Sequence, residues 1–246
     1  MQNTGYLLDR AHPLSRGLVG WWPMIEQAGR RVNDLASGQA GLMANDPAWT
    51  GSPLGAGILF NGSNNYINIP HDPRHALAAP FTISAWIKPT SGTSYPPVLC
   101  KTNGASNGFS WEFTTSGETA LAFWFYSGGW MTKGSIPLQN GIFQHVAITL
   151  DGANETRYIN GAINSQVANA LSPSVSTAAL QIGGNTSLSR YFGGVISGVR
   201  IYNRALSAFE IANLYGDPMA GELANRSKAR LFVKRVSPAL RWWYGG

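Results

Sequence analysis

The acidic side chain best placed for chemistry is Glu112, in Ser110-Trp-Glu-Phe113, where alternation with aromatic residues could wall a cleft and raise its pKa. Hydrolysis of a glycosidic bond draws on two carboxyl groups held about 5–10 Å apart. The nearby Glu118 belongs to a turn at Ser116-Gly117, so Glu112 reads as an ordinary outward-facing strand residue. His71-Asp-Pro-Arg-His75 spaces two histidines at the interval that aligns metal ligands on a helix. Pro73 between them opposes that helix and makes the segment a surface loop. Gly183-Gly184 and Gly193-Gly194 lack the strand-to-helix setting of a phosphate loop and read as turns. The single cysteine, Cys100, forms no internal disulfide and reads as a small core residue. No nucleophile, metal or nucleotide constellation emerges, and the chain reads as non-catalytic.

Binding is better represented than catalysis. In Leu121-Ala-Phe-Trp-Phe-Tyr-Ser-Gly-Gly-Trp130, strand alternation puts Phe123 and Phe125 on one face and Trp124 and Tyr126 on the other. The first pair suits a core. The second, with Trp111 and Trp130, is buried in packing or between subunits, or else forms a platform for sugar rings. The C-terminus is the other binding feature. Arg226, Lys228, Arg230, Lys234, Arg235 and Arg241 carry the whole net charge of +6, the remaining basic residues balancing the 12 acids. They interleave with Phe232, Trp242, Trp243 and Tyr244. Phosphate pairing with base stacking would suit nucleic acid. One short segment containing Pro238, with no nucleic-acid fold, instead favours an acidic protein surface anchored by the aromatics, the alternative being a disordered, solubilising tail.

The elements that must position these residues are strands. In 246 residues, 29 glycines, 14 prolines and only 12% charged residues suit many short strands joined by tight turns. Phe81, Ile83, Ala85 and Ile87 share one face of the clearest strand, and Thr82, Ser84 and Trp86 the other. Val146, Ile148 and Leu150 alternate likewise and end at Asp151-Gly152, while Thr156 to Ile159 runs into Asn160-Gly161, a two-residue hairpin signal. Further strands are expected over residues 57–60, 66–69, 98–101, 109–113, 121–126, 180–183 and 195–202. One helix is expected after Ser207, where Ser207-Ala-Phe-Glu210 fits a capping box. Ile211, Leu214 and Tyr215 share a face, and Gly216 with Pro218 supplies the stop. Residues 1–16 form an N-terminal arm, 17–216 the domain, and 217–246 a linker and basic tail. No run approaches the roughly 18 apolar residues of a membrane span, and the N-terminus lacks the pattern of a secretory signal, so a soluble protein made in a cytoplasm is expected.

Nine ordered motifs resemble the laminin-G-like, concanavalin A-like jelly-roll domains. They begin with Gly17-Leu-Val-Gly-Trp-Trp22 and Asp34-Leu-Ala-Ser-Gly38, and continue through Leu59-Phe-Asn-Gly62, Tyr66-Ile-Asn-Ile69 and Phe81-Thr-Ile-Ser-Ala-Trp-Ile-Lys-Pro89. Later come Phe143-Gln-His-Val-Ala147, Tyr158-Ile-Asn-Gly161, Leu180-Gln-Ile-Gly183 and Val199-Arg-Ile-Tyr-Asn-Arg-Ala-Leu-Ser207. The resemblance implies an all-β, two-sheet antiparallel β-sandwich with one short C-terminal helix, in a family whose members mostly bind glycans or proteins. His145, in its Phe-Gln-His-Val-Ala strand, is then a hydrogen-bonded structural histidine. Some members hold calcium, but Asn61, Asn160 and Ser197-Gly198 replace common family acids, leaving Asp34 and Asp151 as weak calcium candidates. Enzymes of this fold often carry a Glu-x-Asp-x-x-Glu strand, which this sequence lacks.

Arg10-Ala-His-Pro-Leu-Ser-Arg-Gly-Leu-Val-Gly-Trp-Trp22, with the Arg- and Trp-rich C-terminus, is similar to the version of this domain encoded among tailed-bacteriophage structural genes. That resemblance implies a virion protein assembled in the host cytoplasm, a capsid decoration or cement protein. It would be a homo-oligomer docking on capsid or other virion proteins through its terminal arms. The alternative is a carbohydrate-binding, lectin-like module of a tail or fibre protein that recognises host glycans through Trp111, Trp124, Tyr126 or Trp130.

Overall fold

A computed structural model describes residues 6–92, 95–102, 109–116, 120–127 and 129–224. The partner-binding candidates of the tail, from Arg226 to Tyr244, lie outside the described residues, as do the side chains of Trp111 and Trp130. In chain order the strands are β1 (Tyr6–Leu8), β2 (Leu18–Trp22), β3 (Arg31–Val32), β4 (Gly41–Ala44), β5 (Ala48–Thr50), β6 (Gly57–Asn61), β7 (Tyr66–Ile69), β8 (Phe81–Gly92), β9 (Pro97–Thr102) and β10 (Phe109–Ser116). They continue with β11 (Ala120–Tyr126), β12 (Trp130–Pro137), β13 (Gln144–Leu150), β14 (Asn154–Ile159), β15 (Ala162–Ala168), β16 (Leu180–Ile182), β17 (Gly184–Asn185), β18 (Arg190–Tyr202) and β19 (Glu222–Ala224), and one α-helix, α1 (Ala208–Gly216), precedes the last.

Two antiparallel sheets form the expected sandwich. One runs β12-β11-β10-β9-β16-β7-β4-β3, the other β15-β14-β13-β8-β18-β6-β5, with β2 and β17 also pairing β18. The pleat sends alternate residues to opposite faces, and the ladders align them into rows. Met43, Ile67, Ile182, Leu99, Phe113 and Phe123 stand in register across the first sheet and all enter the core between the sheets. Phe81, Ile83, Ala85 and Ile87 meet them from the second, as their alternation predicts. Each such aromatic or branched side chain contributes about 1.5–3 kcal/mol on full burial.

The middle of the other face of the second sheet is covered as well. Thr82, Ser84 and Trp86 are buried there because α1 and the turn at Pro13–Ser15 cover them, and Leu14, Ala147, Tyr158, Tyr202, Leu206, Ile211 and Leu214 make a second apolar cluster. The capping box forms as expected: Glu210 N donates to Ser207 Oγ at 3.3 Å and Ser207 N to Glu210 Oε2 at 2.9 Å. The Asn160-Gly161 hairpin also forms, with both residues at positive φ, 51° and 80°. Beyond α1, β19 pairs with β1.

Gly193-Gly194 is not a turn. Both residues lie inside β18, where the register with β8 slips, and a Cβ on Gly194 would stand 2.2 Å from Lys88 O. The pair is a bulge, and bulges require a residue that tolerates close backbone approach. The segment around His71 also departs from a plain surface loop. Asp72 caps a single helical turn at Pro73–His75, and His75 is fully buried, its ring edge-on to Trp22 at 5.4 Å. His145 is buried but not hydrogen-bonded: neither ring nitrogen has a partner among the described residues, and the ring packs against Trp86 at 5.5 Å and Tyr215 at 6.3 Å.

Candidate functional site

The outward row of the first sheet runs Leu42, Asn68, Gln181, Cys100, Glu112 and Trp124, each in register with the next. A tight hairpin formed by β17 and the start of β18 folds back over it, pairing Asn185 with Arg190. Gly184 O accepts from Cys100 Sγ at 3.2 Å, which pins this roof to the sheet. Under the roof Glu112 is only 1% exposed, so the outward-facing strand residue expected from alternation is in fact covered by a distant segment. Asn185 Nδ2 donates to Glu112 Oε1, and Arg190 Nη1 lies 3.5 Å from Glu112 Oε2. Burial raises the Glu112 pKa, and the Arg190 charge and the Asn185 hydrogen bond oppose part of that rise.

The same hairpin opens a cavity of about 310 Å³ lined by Tyr95, Glu112, Trp124, Leu188 and Arg190. Tyr95, held at φ 55° in the connection between β8 and β9, sets its ring edge-on to Trp124 at 5.8 Å. Arg190 extends over the Tyr95 ring with its Cζ 5.6 Å from the centroid, within cation–π range. A charged pair, two aromatic rings and one aliphatic wall thus converge, the composition expected of a small-molecule site. Glu112 has no second carboxylate among the lining residues, so the two-carboxylate geometry of glycoside hydrolysis is not assembled by them. A larger cavity of about 550 Å³ lies between His12–Leu14 and α1, but its Glu210 is already held by Arg204 and Ser207.

Of the four expected platform aromatics, Trp124 lines the cavity. Tyr126, half-buried, pairs with Trp130 one step along the β11–β12 ladder. Trp111 pairs with Lys101 and with the core residue Phe125, a register position outside the Glu112–Trp124 row. Trp111 and Trp124 therefore do not share one row. The calcium candidates lie in separate connections, Asp34 after β3 and Asp151 after β13. Asp34 accepts from Trp21 N and Ala36 N, both at 2.8 Å, and from Ser37 Oγ. Asp151 accepts from Ala153 N at 2.7 Å and Asn154 N at 2.6 Å, and those amides hold its carboxyl below the usual range. Among the described residues no three His, Cys, Asp or Glu side chains gather to hold a metal. Among the described residues no helix is long and apolar enough to cross a membrane.

Tyr95, Asn185, Leu188 and Arg190 are the site residues that sequence reasoning missed. None sits in a periodic segment with Glu112: Asn185, Leu188 and Arg190 come from the roof, and Tyr95 from the connection between β8 and β9. One trace was present: Gly183-Gly184 and Gly193-Gly194 bracket the hairpin, and two glycine pairs about ten residues apart allow a chain to lie close on a sheet.

A sequence profile described as the concanavalin A-like lectin/glucanases superfamily matches residues 61–212, more than half of the chain. Domain 4 of AbnA, an extracellular arabinanase of Geobacillus stearothermophilus solved with arabinotriose, superposes at a TM-score of 0.68 with 18% identity, over 80% of this chain and 98% of that one. The binding domain of Paraclostridial Mosquitocidal Protein 1 superposes at 0.65 with 18% identity, over 84% and 53%. A Trypanosoma rangeli sialidase in complex with sialic acid superposes at 0.59 with 19% identity, over 83% and 34%. A curated relative, adhesion G-protein coupled receptor V1 of Danio rerio, is 26% identical over 170 residues, and the match spans 3% of that protein's length.

Proposed function

Since the chain belongs to the concanavalin A-like lectin/glucanases superfamily, we propose that it is a carbohydrate-binding module without catalytic activity, and that the ligand enters the cavity on the outward face of the first sheet. The observation that carries this reading is the convergence of the Trp124 and Tyr95 rings on the Glu112–Arg190 pair. Aromatic rings offer sugar C–H faces an apolar platform, and a few fixed polar groups supply orientation. The arabinotriose held by the arabinanase domain supports a sugar ligand for this fold. Binding to a glycan array, lost in Trp124→Ala with the thermal melt retained, is the expected result. Equal binding by wild type and Trp124→Ala would place the ligand elsewhere.

A second reading, a virion decoration protein docked through its arms, is favoured by the confinement of the whole +6 charge to residues 226–246. Deleting those residues is expected to abolish attachment to the particle while the sandwich stays folded. Normal particle occupancy by the shortened chain would end that reading.

A further inference from the structure

We propose that the outward cavity engages a glycan through an acidic substituent, a carboxylate or sulfate on the sugar, and that Arg190 receives it. The inference rests on the carbohydrate reading above and adds the chemical class of the ligand. It follows from how the cavity divides its polar groups.

Glu112 directs Oε1 to Asn185 and Oε2 toward Arg190, and at 1% exposure its lone pairs are committed within the protein. Arg190 differs in both respects. Its side chain is 34% exposed, and among the described residues its polar contact is one Nη1 approach to Glu112 at 3.5 Å. A strong charge-assisted hydrogen bond is shorter, about 2.7–2.9 Å, so the pairing holds the guanidinium without saturating it. Of the five N–H donors on an arginine, most are left to the cavity mouth. The Tyr95 ring, 5.6 Å from the Arg190 Cζ, and the Glu112 carboxylate flank that fork.

The lining is therefore rich in donors and poor in open acceptors. A neutral sugar hydroxyl both donates and accepts, and half of its valence would go unmet against Arg190 and Leu188. An oxyanion accepts only, and a planar guanidinium matches its two oxygens in parallel. The aromatic pair then takes the ring that carries the acidic group.

Matched glycan pairs test this: galacturonate oligomers and their methyl esters, sialylated chains and their desialylated forms, sulfated chains and their desulfated forms. Each pair is titrated with the wild-type full chain, Arg190→Gln and Arg190→Lys. Acidic members are expected to bind about tenfold or more tightly than their neutral partners, with the preference shrinking as salt rises. The esterified and desulfated arms tell carboxylate from sulfate. Arg190→Gln should erase the preference while retaining weak binding. Arg190→Lys, which keeps a charge beside Glu112 but loses the fork, should reduce it and serves if the glutamine variant does not fold. Equal wild-type affinity within every pair, or a preference unchanged in a folded Arg190 variant, overturns the acidic-group inference and leaves the carbohydrate reading intact. Binding to no member overturns both.

Discussion

The two outward faces of the sandwich use the same kinds of residue to opposite ends. On the second sheet Arg200 is 1% exposed, lies over Trp21 at 4.2 Å, and donates to Pro218 O and Ala220 O, while His145 is enclosed by Trp86 and Tyr215. On the first sheet Arg190 lies over Tyr95 beside the buried Glu112, but among the described residues no helix covers it, and a cavity remains. An arginine over an aromatic ring is thus mortar when backbone carbonyls close around it. Left uncapped, as Arg190 is, it borders an open cavity.

The largest test of that contrast is the seal itself. Leu214→Ala should lower the unfolding free energy by about 2–5 kcal/mol, read from a urea melt. Trp124→Ala, half-buried on the open face, should move the same midpoint far less. Equal losses would erase the distinction between a structural face and a binding face.

Next in size is the pH dependence, which should have opposite sign on the two faces. Burial, followed by the Arg200 charge, pushes the His145 pKa from 6.5 down to about 3. Between those values the unfolded chain takes up a proton that the folded chain refuses. Stability from this group is therefore full above pH 6.5 and is lost on acidification by about 1.4 kcal/mol per pH unit. His145→Phe should flatten that limb, and an unchanged slope in the variant would show that His145 protonates without unfolding.

Glu112 works the other way. Its pKa is raised from 4.5, so the folded chain retains a proton that the unfolded chain has lost. Its contribution is present below 4.5 and disappears as pH rises through the folded value. Glu112→Gln should gain stability relative to wild type over that rise, a smaller effect because the Arg190 charge and the Asn185 hydrogen bond oppose the shift. A constant difference between the two proteins at all pH values would mean that the carboxyl titrates alike in the folded and unfolded chain, with no upward shift.

The smallest effect belongs to the helix that makes the seal. Ser207→Ala removes one half of the capping box and should cost about 1 kcal/mol, measured as a shift in the denaturation midpoint. A loss as large as that of Leu214→Ala would locate the seal in the cap instead of in the packed face.

The sandwich was legible because its signals are local. Alternation at Phe81–Ile87, the Asn160-Gly161 hairpin and the Ser207–Glu210 cap each lie within a few residues and each form. The alternation also marked Thr82, Ser84 and Trp86 as one face, but not that α1 would cover it. Separation in sequence hid the site. Asn185 is 73 residues from its partner Glu112, and no periodic pattern in β10 reports a roof supplied by β17. The glycines at 193 and 194 misled for a related reason: glycine marks an unusual backbone path, and a bulge and a turn look alike until the partner strand is known.

The pairing of Tyr6–Leu8 with Glu222–Ala224 has a practical corollary. Entry to and exit from the folded unit lie a single strand spacing apart, roughly 5 Å, so the sandwich has the geometry of a cassette. Spliced into a surface loop of an unrelated scaffold, it would ask the host to open no wider than an ordinary hairpin, and domains with adjoining ends tolerate such grafting well. That makes the unit transplantable with its outward cavity intact.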